Sequence, residues 1–294
     1  MIWSCPLCQS PLAIVESGLA CCNGHQFDRA KGGYVNLLPA HHRHSKSPGD
    51  SKAMVAARER FLSSGAYTPL VELIGQQLFN VALPSLPAQE PYTILDCGAG
   101  TGFYSAALAK KAQQITRLFP LSFFGVDISK EAVRRGAKRF GPNHSAVASV
   151  YALPVAPHSV DVVVQVFAPH SDSELRRFLK PHGQMIAVSP GPRHLWELKS
   201  LVYEHPKEHL PPKAMEGFEA MSTHPLSFSI PLNSPSDVED LLSMTPLAWK
   251  ISPENLSELK SGRIDAVQAD FLITVYRMTP VPPISAPSIP VSTS

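Results

Sequence analysis

Between residues 91 and 190, short apolar runs alternate with stretches of mixed polarity. Such runs predict strands that are buried on both faces, and the longer mixed stretches predict helices. The strands are expected at residues 92–97, 122–127, 146–150, 160–167 and 185–189. The helices are expected at 105–109, 130–139 and 171–179. Strands that alternate with helices indicate an α/β domain built on a mostly parallel sheet.

The pattern continues more weakly on both sides of this region. Helical periodicity is present at residues 51–62 and again from Thr68 and Pro69, which suit a cap and a first helical turn. After residue 190, a helix at 197–202 and an amphipathic stretch at 237–244 are expected. The late apolar run at residues 271–276 predicts an edge strand.

A glycine-rich turn follows the first buried strand. It reads D-x-G-x-G-x-G and is formed by Asp96, Gly98, Gly100 and Gly102. In a dinucleotide-binding turn the third glycine comes one residue later, so this spacing argues against a nicotinamide dehydrogenase. Glycines permit positive φ and leave the backbone open to a ligand. Thr101 is a candidate cap for the helix that follows.

A carboxylate ends the second strand at Asp127. An acid in this position suits a ribose diol, which needs an acceptor for two hydroxyl donors. Asp96 and Asp127 would otherwise be ordinary strand-end turn acids, but strand, glycine turn, helix, strand and acid all fall in order. Together these signals resemble motifs I and II of class I S-adenosylmethionine-dependent methyltransferases. The resemblance implies a Rossmann-like domain and S-adenosylmethionine as cofactor.

The first 25 residues contain a candidate metal site. Cys5 and Cys8 form a C-x2-C knuckle, and Cys21 and His25 would complete a tetrahedral Cys3His zinc site. Cys22 is the rival of Cys21, because its spacing to His25 is also feasible. Four protein ligands leave no open position for water, so this zinc is expected to be structural. The fold class predicted is therefore a class I (Rossmann-like) methyltransferase domain with a small N-terminal zinc-binding domain.

Composition limits the partners and the location. The chain has 26 Lys+Arg and 24 Asp+Glu, so net charge does not predict a polyanionic partner. No run approaches the roughly 18 apolar residues of a membrane helix, and no membrane partner is expected. Four of the five cysteines crowd into residues 5–22, which suits metal better than disulfides and predicts a reducing, cytoplasmic location.

Local charge is less even. Seven Lys/Arg and four His lie between His25 and Arg60, interleaved with Phe27 and Tyr34. Aromatic side chains could stack on bases while the basic run follows phosphates, which would make this a nucleic-acid-binding segment. The same residues are also compatible with a solvated surface loop. The domains expected are 1–40 for zinc, 41–90 for a basic loop, helices and linker, 91–278 for methyl transfer, and 279–294 for a disordered Pro/Ser-rich tail.

With these pieces in order, the chain resembles the RlmA family of 23S rRNA (guanine-N1-)-methyltransferases. The motifs that carry the resemblance are Cys5-Pro-Leu-Cys8 with Cys21 and His25-Gln-Phe-Asp28, Gly33-Tyr-Val-Asn-Leu-Leu-Pro39, Pro48-Gly-Asp50, the glycine turn, Phe167-Ala-Pro169, and Pro190-Gly-Pro-Arg-His194. The resemblance implies zinc on Cys5, Cys8, Cys21 and His25, and a homodimer with a cleft for an rRNA hairpin. It also implies cofactor contacts from Tyr67, Gly100, Thr101 and His194. Tyr67 and His194 rest on the resemblance alone.

The expected reaction sets one further requirement. Guanine N1 carries a proton at neutral pH, so a general base or a hydrogen bond to O6 is expected to help its departure. Asp50, His170 and His194 are candidates for the base, and the sequence does not rank them. Two rival readings remain: a zinc-ribbon methyltransferase that acts on a small molecule or protein, and a non-catalytic zinc protein that binds RNA.

Overall fold

The computed structural model describes residues 1–39, 49–82, 91–115, 121–262 and 264–279. The predictions for the His-rich loop at 41–48, the linker at 84–90 and the proline-rich tail from residue 280 lie outside the described residues. Within them, no helix is long and apolar enough to span a bilayer.

The N-terminal region folds as a small antiparallel sheet of three strands, β1 (Leu12–Val15), β2 (Gly18–Cys21) and β3 (Gln26–Asp28). A fourth short strand, β4 (Val35–Asn36), does not belong to this small sheet; it forms one edge of the larger sheet described next. The sequence did not predict any of these strands, because they are too short to show a period.

The main sheet contains seven further strands: β5 (Tyr92–Cys97), β6 (Leu121–Asp127), β7 (Ser145–Val147), β8 (Val160–Val166), β9 (Leu179–Pro190), β10 (Phe218–Pro231) and β11 (Ala266–Met278). Its strand order is β10-β11-β9-β8-β5-β6-β7-β4. All neighbours from β4 to β9 pair in parallel, and β11 pairs antiparallel with both β9 and β10. The carboxyl ends of the parallel strands therefore share one edge, where a ligand is expected.

The described residues form eight α-helices: α1 (Lys52–Ser63), α2 (Thr68–Ala82), α3 (Phe103–Ile115), α4 (Lys130–Phe140), α5 (Asp172–Phe178), α6 (Trp196–Val202), α7 (Pro235–Ser243) and α8 (Pro253–Lys260). A 3-10 turn spans Pro246–Trp249. Serine side chains cap several of the helices; Ser51, Ser129 and Ser171 each accept a backbone N–H in the first turn.

Two corrections concern the second half of the chain. The run at 271–276 does not form an edge strand, because β11 lies inside the sheet between β9 and β10. The edge is β10, which the sequence did not predict. Residues 180–184, which lie between the helix and the strand expected at 171–179 and 185–189, belong to β9, which begins directly after α5.

The N-terminal region shares a hydrophobic core with strands of the main sheet. Trp3 is 1% exposed and packs edge-on against Phe124 of β6, with ring centroids 5.6 Å apart. Its indole Nε1–H donates to the carbonyl oxygen of Asn143 at 2.6 Å. Val35 of β4 pairs with Ala146 of β7, which extends the sheet by one strand. Residues 1–39 therefore cover part of one face and one edge of the sheet.

The burial of the N-terminal aromatics corrects one hypothesis. Tyr34 is 5% exposed and lies in a cluster with Val133 of α4, so it cannot stack on a base from solvent. Phe27 is half-buried against the core that contains Trp3. Tyr34 is therefore excluded as an RNA-stacking residue, and Phe27 shows only part of its surface to solvent.

Candidate active site and metal centre

The glycine turn lies at the carboxyl edge of the sheet, between β5 and α3. Its three glycines have φ values of 78° at Gly98, 55° at Gly100 and 68° at Gly102. All are in the left-handed region that favours glycine. A Cβ on Gly98 would lie 2.3 Å from the Cβ of Ala168, whereas a Cβ on Gly100 would meet nothing within 4 Å. Gly98 is thus needed for packing, and Gly100 leaves open space beside its backbone.

Asp127 is tied directly to this turn. Its Oδ2 accepts the N–H of Gly100 at 2.9 Å, and its Oδ1 accepts the N–H of Ser129 at 2.7 Å. Burial raises the pKa of the Asp127 carboxyl, and these two backbone donors oppose that effect. The residue is only partly buried, and a carboxylate has about four acceptor positions. Two positions remain for hydroxyl donors of a ligand.

Asp96, unlike Asp127, has its side chain buried in the protein interior. It is 2% exposed, and the Ser105 hydroxyl on α3 donates to its Oδ2 at 2.6 Å. Burial raises the pKa of Asp96 to about 7; the bond from Ser105 lowers it, and the nearby charge of Asp127 raises it further. The Asp96 side chain therefore ties the glycine turn to α3 through Ser105. Its carboxyl group changes charge near neutral pH.

Thr101 is buried, at 3% exposure, and its carbonyl oxygen accepts a hydrogen bond from the Arg139 guanidinium. A Cβ on Gly136 of α4 would lie 2.5 Å from the Thr101 carbonyl carbon, so α4 packs tightly on this residue. Helix α3 begins at Phe103. Gly102, not Thr101, therefore directly precedes the helix, and the prediction of Thr101 as its cap is wrong.

Tyr67 and His194, far apart in sequence, meet around Phe271 of β11. The Phe271 ring centroid lies 5.2 Å from that of Tyr67 and 4.9 Å from that of His194. Phe167, directly after β8, joins the same cluster at 5.7 Å from Phe271 and 5.4 Å from His194. Phe271 itself is fully buried. The cluster thus connects the end of β8 with the loop before α6 at the carboxyl edge of the sheet.

The hydrogen bonding of His194 fixes its tautomer. The backbone N–H of Asp270 donates to Nδ1 at 3.2 Å, so Nδ1 carries the lone pair and Nε2 carries the proton. Burial, with a smaller contribution from His209, lowers the pKa of His194 to about 4. The imidazole is therefore neutral at pH 7 and offers Nε2–H as a donor. In this state it is not a general base.

The other two candidates for the base differ in their surroundings. Asp50 forms an ion pair with Arg58 of α1, and its backbone oxygen accepts the Ser129 hydroxyl. His170 Nε2 lies 3.3 Å from Asp172 Oδ1, in a pair that is about one-third exposed on each side. These contacts place Asp50 beside the Asp127 turn and His170 three residues beyond Phe167.

Sequence reasoning missed one residue of this region and the exposure of another. The positive charge of Arg58 lowers the pKa of both Asp127 and Tyr67, but one basic residue in an amphipathic helix gives no signal in the sequence. The strand order predicts that the Phe167–His170 turn lies with the glycine turn and Asp127 at the ligand site, but an apolar strand end does not reveal that the Phe167 ring is exposed.

The predicted metal ligands converge in the N-terminal region. The ligand atoms of Cys5, Cys8, Cys21 and His25 all lie within 4.8 Å of one another. Cys8 Sγ is 3.7 Å from Cys21 Sγ, and His25 Nδ1 is 3.5 Å from Cys5 Sγ and 3.4 Å from Cys21 Sγ. A tetrahedral zinc ion with metal–sulfur bonds of about 2.3 Å separates its sulfur ligands by roughly 3.7 Å. The residues present thus fit a zinc ion.

The rival thiol lies outside this group. Cys22 is exposed, and its Sγ contacts Asn23 Oδ1 instead. The turn is closed by the Cys21 N–H, which donates to the His25 carbonyl oxygen at 3.0 Å. This turn directs Cys21 inward and Cys22 outward, because successive side chains at a strand end point to opposite sides.

Two family models match separate regions of the chain. Residues 3–46 match the model described as "RlmA, N-terminal", and residues 94–183 match that of a methyltransferase domain. These matches and the strand order confirm the predicted fold class, with a class I methyltransferase domain behind a small zinc-binding region.

Relatives match over most of the chain. A 23S rRNA (guanine(748)-N(1))-methyltransferase of Streptomyces fradiae is 34% identical over 259 residues, which cover 86% of this chain and 88% of the relative. A protein of Micromonospora griseorubida named "Putative 23S rRNA (guanine-N(1)-)-methyltransferase" is 32% identical over 94% of this chain and 97% of its own length. A malonyl-[acyl-carrier protein] O-methyltransferase of Methylovorus sp. (strain MP688) is 31% identical, but over only 37% of this chain and 40% of the relative.

Proposed function

The chain belongs to the RlmA family of 23S rRNA (guanine-N1-)-methyltransferases, and from this premise we propose that it transfers a methyl group from S-adenosylmethionine to N1 of one guanine in a 23S rRNA hairpin. The observation that carries the proposal is the bond between the glycine turn and Asp127, which leaves an open backbone beside a carboxylate with free acceptor positions. This is the arrangement that a ribonucleoside cofactor requires.

We assign the cofactor site to seven residues, some of which would contact the cofactor and some of which would hold the turn: Tyr67, Asp96, Gly98, Gly100, Thr101, Asp127 and His194. Asp127 would accept the ribose hydroxyls, and the open side of Gly100 would receive the ligand. His194 would donate Nε2–H to an oxygen atom, since its Nδ1 is already used by Asp270. Asp96 and Thr101 are both buried, so they would hold the glycine turn in its conformation rather than contact the cofactor with their side chains.

The sulfonium of S-adenosylmethionine supplies an electrophilic methyl group, so the main task of the chain is alignment. N1 is on the Watson–Crick edge of guanine, and the base must therefore be unpaired before it reaches the cofactor. The N1 proton must also leave. His194 is poorly suited to accept it in the observed tautomer, and neither Asp50 nor His170 is assigned this role.

The metal is proposed to be a structural zinc ion on Cys5, Cys8, Cys21 and His25. All four ligands come from the protein, which leaves no position for a reactive water. Residues 1–60 are proposed to bind the RNA, with the exposed basic side chains rather than the buried Tyr34 ring making contact.

The assembly is proposed to be a cytoplasmic homodimer. Within the described residues, β10 ends the sheet with 14 residues that have one unpaired edge. Long free edges in stable proteins are covered or protected, and Pro225 and Pro231 protect this one only in part. A sedimentation mass equal to that of a single chain would contradict the dimer.

Mapping of reverse-transcription stops on 23S rRNA tests the function directly. N1 methylation blocks Watson–Crick pairing, so cells with the protein should show a stop at one guanine that is absent without it. The hairpin that contains guanine 748 is the first place to look, because the Streptomyces fradiae relative is named for that position. Purified protein that methylates an acyl carrier protein or a small molecule, but no rRNA transcript, would contradict the proposal.

A further inference from the structure

Phe167 has a backbone conformation that a bulky side chain rarely adopts. Its φ is +53°, one of five positive values at non-glycine residues in the described chain. Asparagine tolerates this region, whereas aromatic and branched residues are strained there. Residues held in such conformations persist only where the surrounding structure imposes them, and they cluster at functional sites.

Packing does not explain the strain at Phe167. Leu195, which has a similar φ of +52°, is 4% exposed, so burial of its side chain compensates for its backbone. Phe167 is 45% exposed, although it is a large apolar residue. Leu195 and Phe167 both lie at the ring cluster around Phe271. Only Leu195 buries nearly all of its apolar surface there, so only Leu195 gains enough burial to offset its backbone strain.

The surrounding structure fixes the Phe167 turn at three points. The Phe167 N–H donates to the Val188 carbonyl oxygen on β9 at 3.1 Å. The Gln165 side chain, which is 3% exposed, donates to the carbonyl oxygen of Ala168. Ala168 also touches the glycine turn at Gly98, where even one added methyl group would clash. The ring is therefore held rigidly, half in the cluster and half in solvent.

The position of the exposed ring relates it to the cofactor site. One side of the ring contacts Phe271 and His194. The next residue along the chain packs on the turn that would hold S-adenosylmethionine. A flat apolar surface beside the methyl donor suits a planar acceptor, because base–aromatic stacking is favourable for every nucleobase.

We propose that the exposed face of Phe167 is the stacking platform for the unpaired purine base that receives the methyl group. This inference rests on the proposed function, since it names how that acceptor is held. The left-handed backbone turns the ring toward solvent at the carboxyl edge, and the contacts of Gln165 and Gly98 keep it there when no base is bound.

The test uses full-length, zinc-loaded protein and an in vitro transcript of the 23S rRNA hairpin. Single-turnover methyl transfer is measured for Phe167→Ala, Phe167→Leu and Phe167→Tyr at saturating S-adenosylmethionine. The Ala and Leu variants should lose roughly 10- to 100-fold in rate, the range expected for one lost stacking contact. The Tyr variant keeps an aromatic face and should stay within about threefold of wild type.

Two further measurements separate stacking from structural support. The affinity for S-adenosylmethionine, measured by calorimetry, should be unchanged in all three variants, and Phe167→Leu, which keeps an apolar side chain in the cluster, should keep the wild-type Tm. Trp249→Ala is the matched control, because Trp249 is 77% exposed and lies outside the ring cluster; it should transfer methyl at the wild-type rate.

Several outcomes would overturn the inference. Wild-type rates in Phe167→Leu would show that the aromatic face is not needed. An equal loss of cofactor affinity would place the ring in the cofactor pocket, and a rate loss in Phe167→Leu that only parallels a lower Tm would show that the ring is structural. If wild-type protein transfers no methyl group to the transcript, the proposed function fails first, before the variants are compared.

Discussion

Asp96 makes stability depend on pH through a single side chain. Its folded pKa of about 7 lies above the ordinary value of 3.8, so the folded state keeps a proton that the unfolded state has lost between about pH 4 and pH 7. Stability from this group is therefore present at low pH and is lost as pH rises through that window. The shift corresponds to a few kcal/mol at most, on the order of 1.4 kcal/mol per pKa unit.

We predict that Asp96→Asn removes this dependence. The amide oxygen can still accept the Ser105 hydroxyl, but no charge is buried at any pH. Denaturant unfolding should show a variant that is more stable than wild type at pH 8, with a difference that shrinks toward pH 4. The exposed Asp28→Asn is the control and should show no such trend. A constant difference across pH 4–8 would mean that Asp96 does not titrate in this window.

Gly100 and Gly262 offer a matched pair for the cofactor site. Both have positive φ, 55° and 81°, and a Cβ on either would meet nothing within 4 Å. Alanine should therefore cost each about 1 kcal/mol of stability through backbone strain. Only Gly100→Ala should weaken S-adenosylmethionine binding, by at least tenfold in calorimetry, because its methyl group would enter the ligand space. Equal affinities in the two variants would place the cofactor elsewhere.

Cys21 and Cys22 are adjacent and differ only in direction. We predict that Cys21→Ser lowers the zinc content of purified protein well below one ion per chain and lowers Tm, because one of four ligands is lost. Cys22→Ser should keep one zinc ion per chain and the wild-type Tm, since its thiol is exposed. Elemental analysis by mass spectrometry measures both; the reverse ranking would make Cys22 the ligand.

At the scale of elements, local signals predicted β5, β6 and β8 well. Each is a continuous apolar run with a clear end, and β6 and β8 are buried on both faces. The position of a strand within the sheet was harder to predict. The composition of β11 suits an edge strand and an interior strand equally well, and only its pairing with both β9 and β10 shows that it is interior. β10 escaped prediction because its two prolines argue against an interior strand, which is consistent with its place at the edge.

Trp3 joins the N-terminal region to the sheet, and its removal should destabilise the whole chain. The side chain is buried, packs on Phe124 and donates to Asn143. Trp3→Ala should lower the free energy of unfolding by about 3–5 kcal/mol, measured by denaturant titration. The exposed Trp249→Ala should change it by less than about 0.5 kcal/mol. A small effect at Trp3 would mean that the zinc-binding region merely rests on the sheet.

At the scale of the whole molecule, what could be predicted of the site depended on sequence distance. The turn from Asp96 to Gly102, its partner Asp127 and the Cys5–His25 group are local patterns whose spacing carries their chemistry. The ring cluster of Tyr67, His194, Phe167 and Phe271 is assembled by strand order and helix placement. No spacing in the sequence indicates that such distant side chains meet, so resemblance alone suggested two of the four.

The strand β4 has a consequence for protein engineering. Because this strand belongs to the zinc-binding region yet hydrogen-bonds to β7, the region cannot be exchanged between relatives as a self-contained cassette. A chimera that grafts a foreign N-terminus must also import the groups that receive it, Phe124, Asn143 and Ala146. Swaps designed to change which nucleotide is modified should therefore place their junctions after β7 rather than at residue 40.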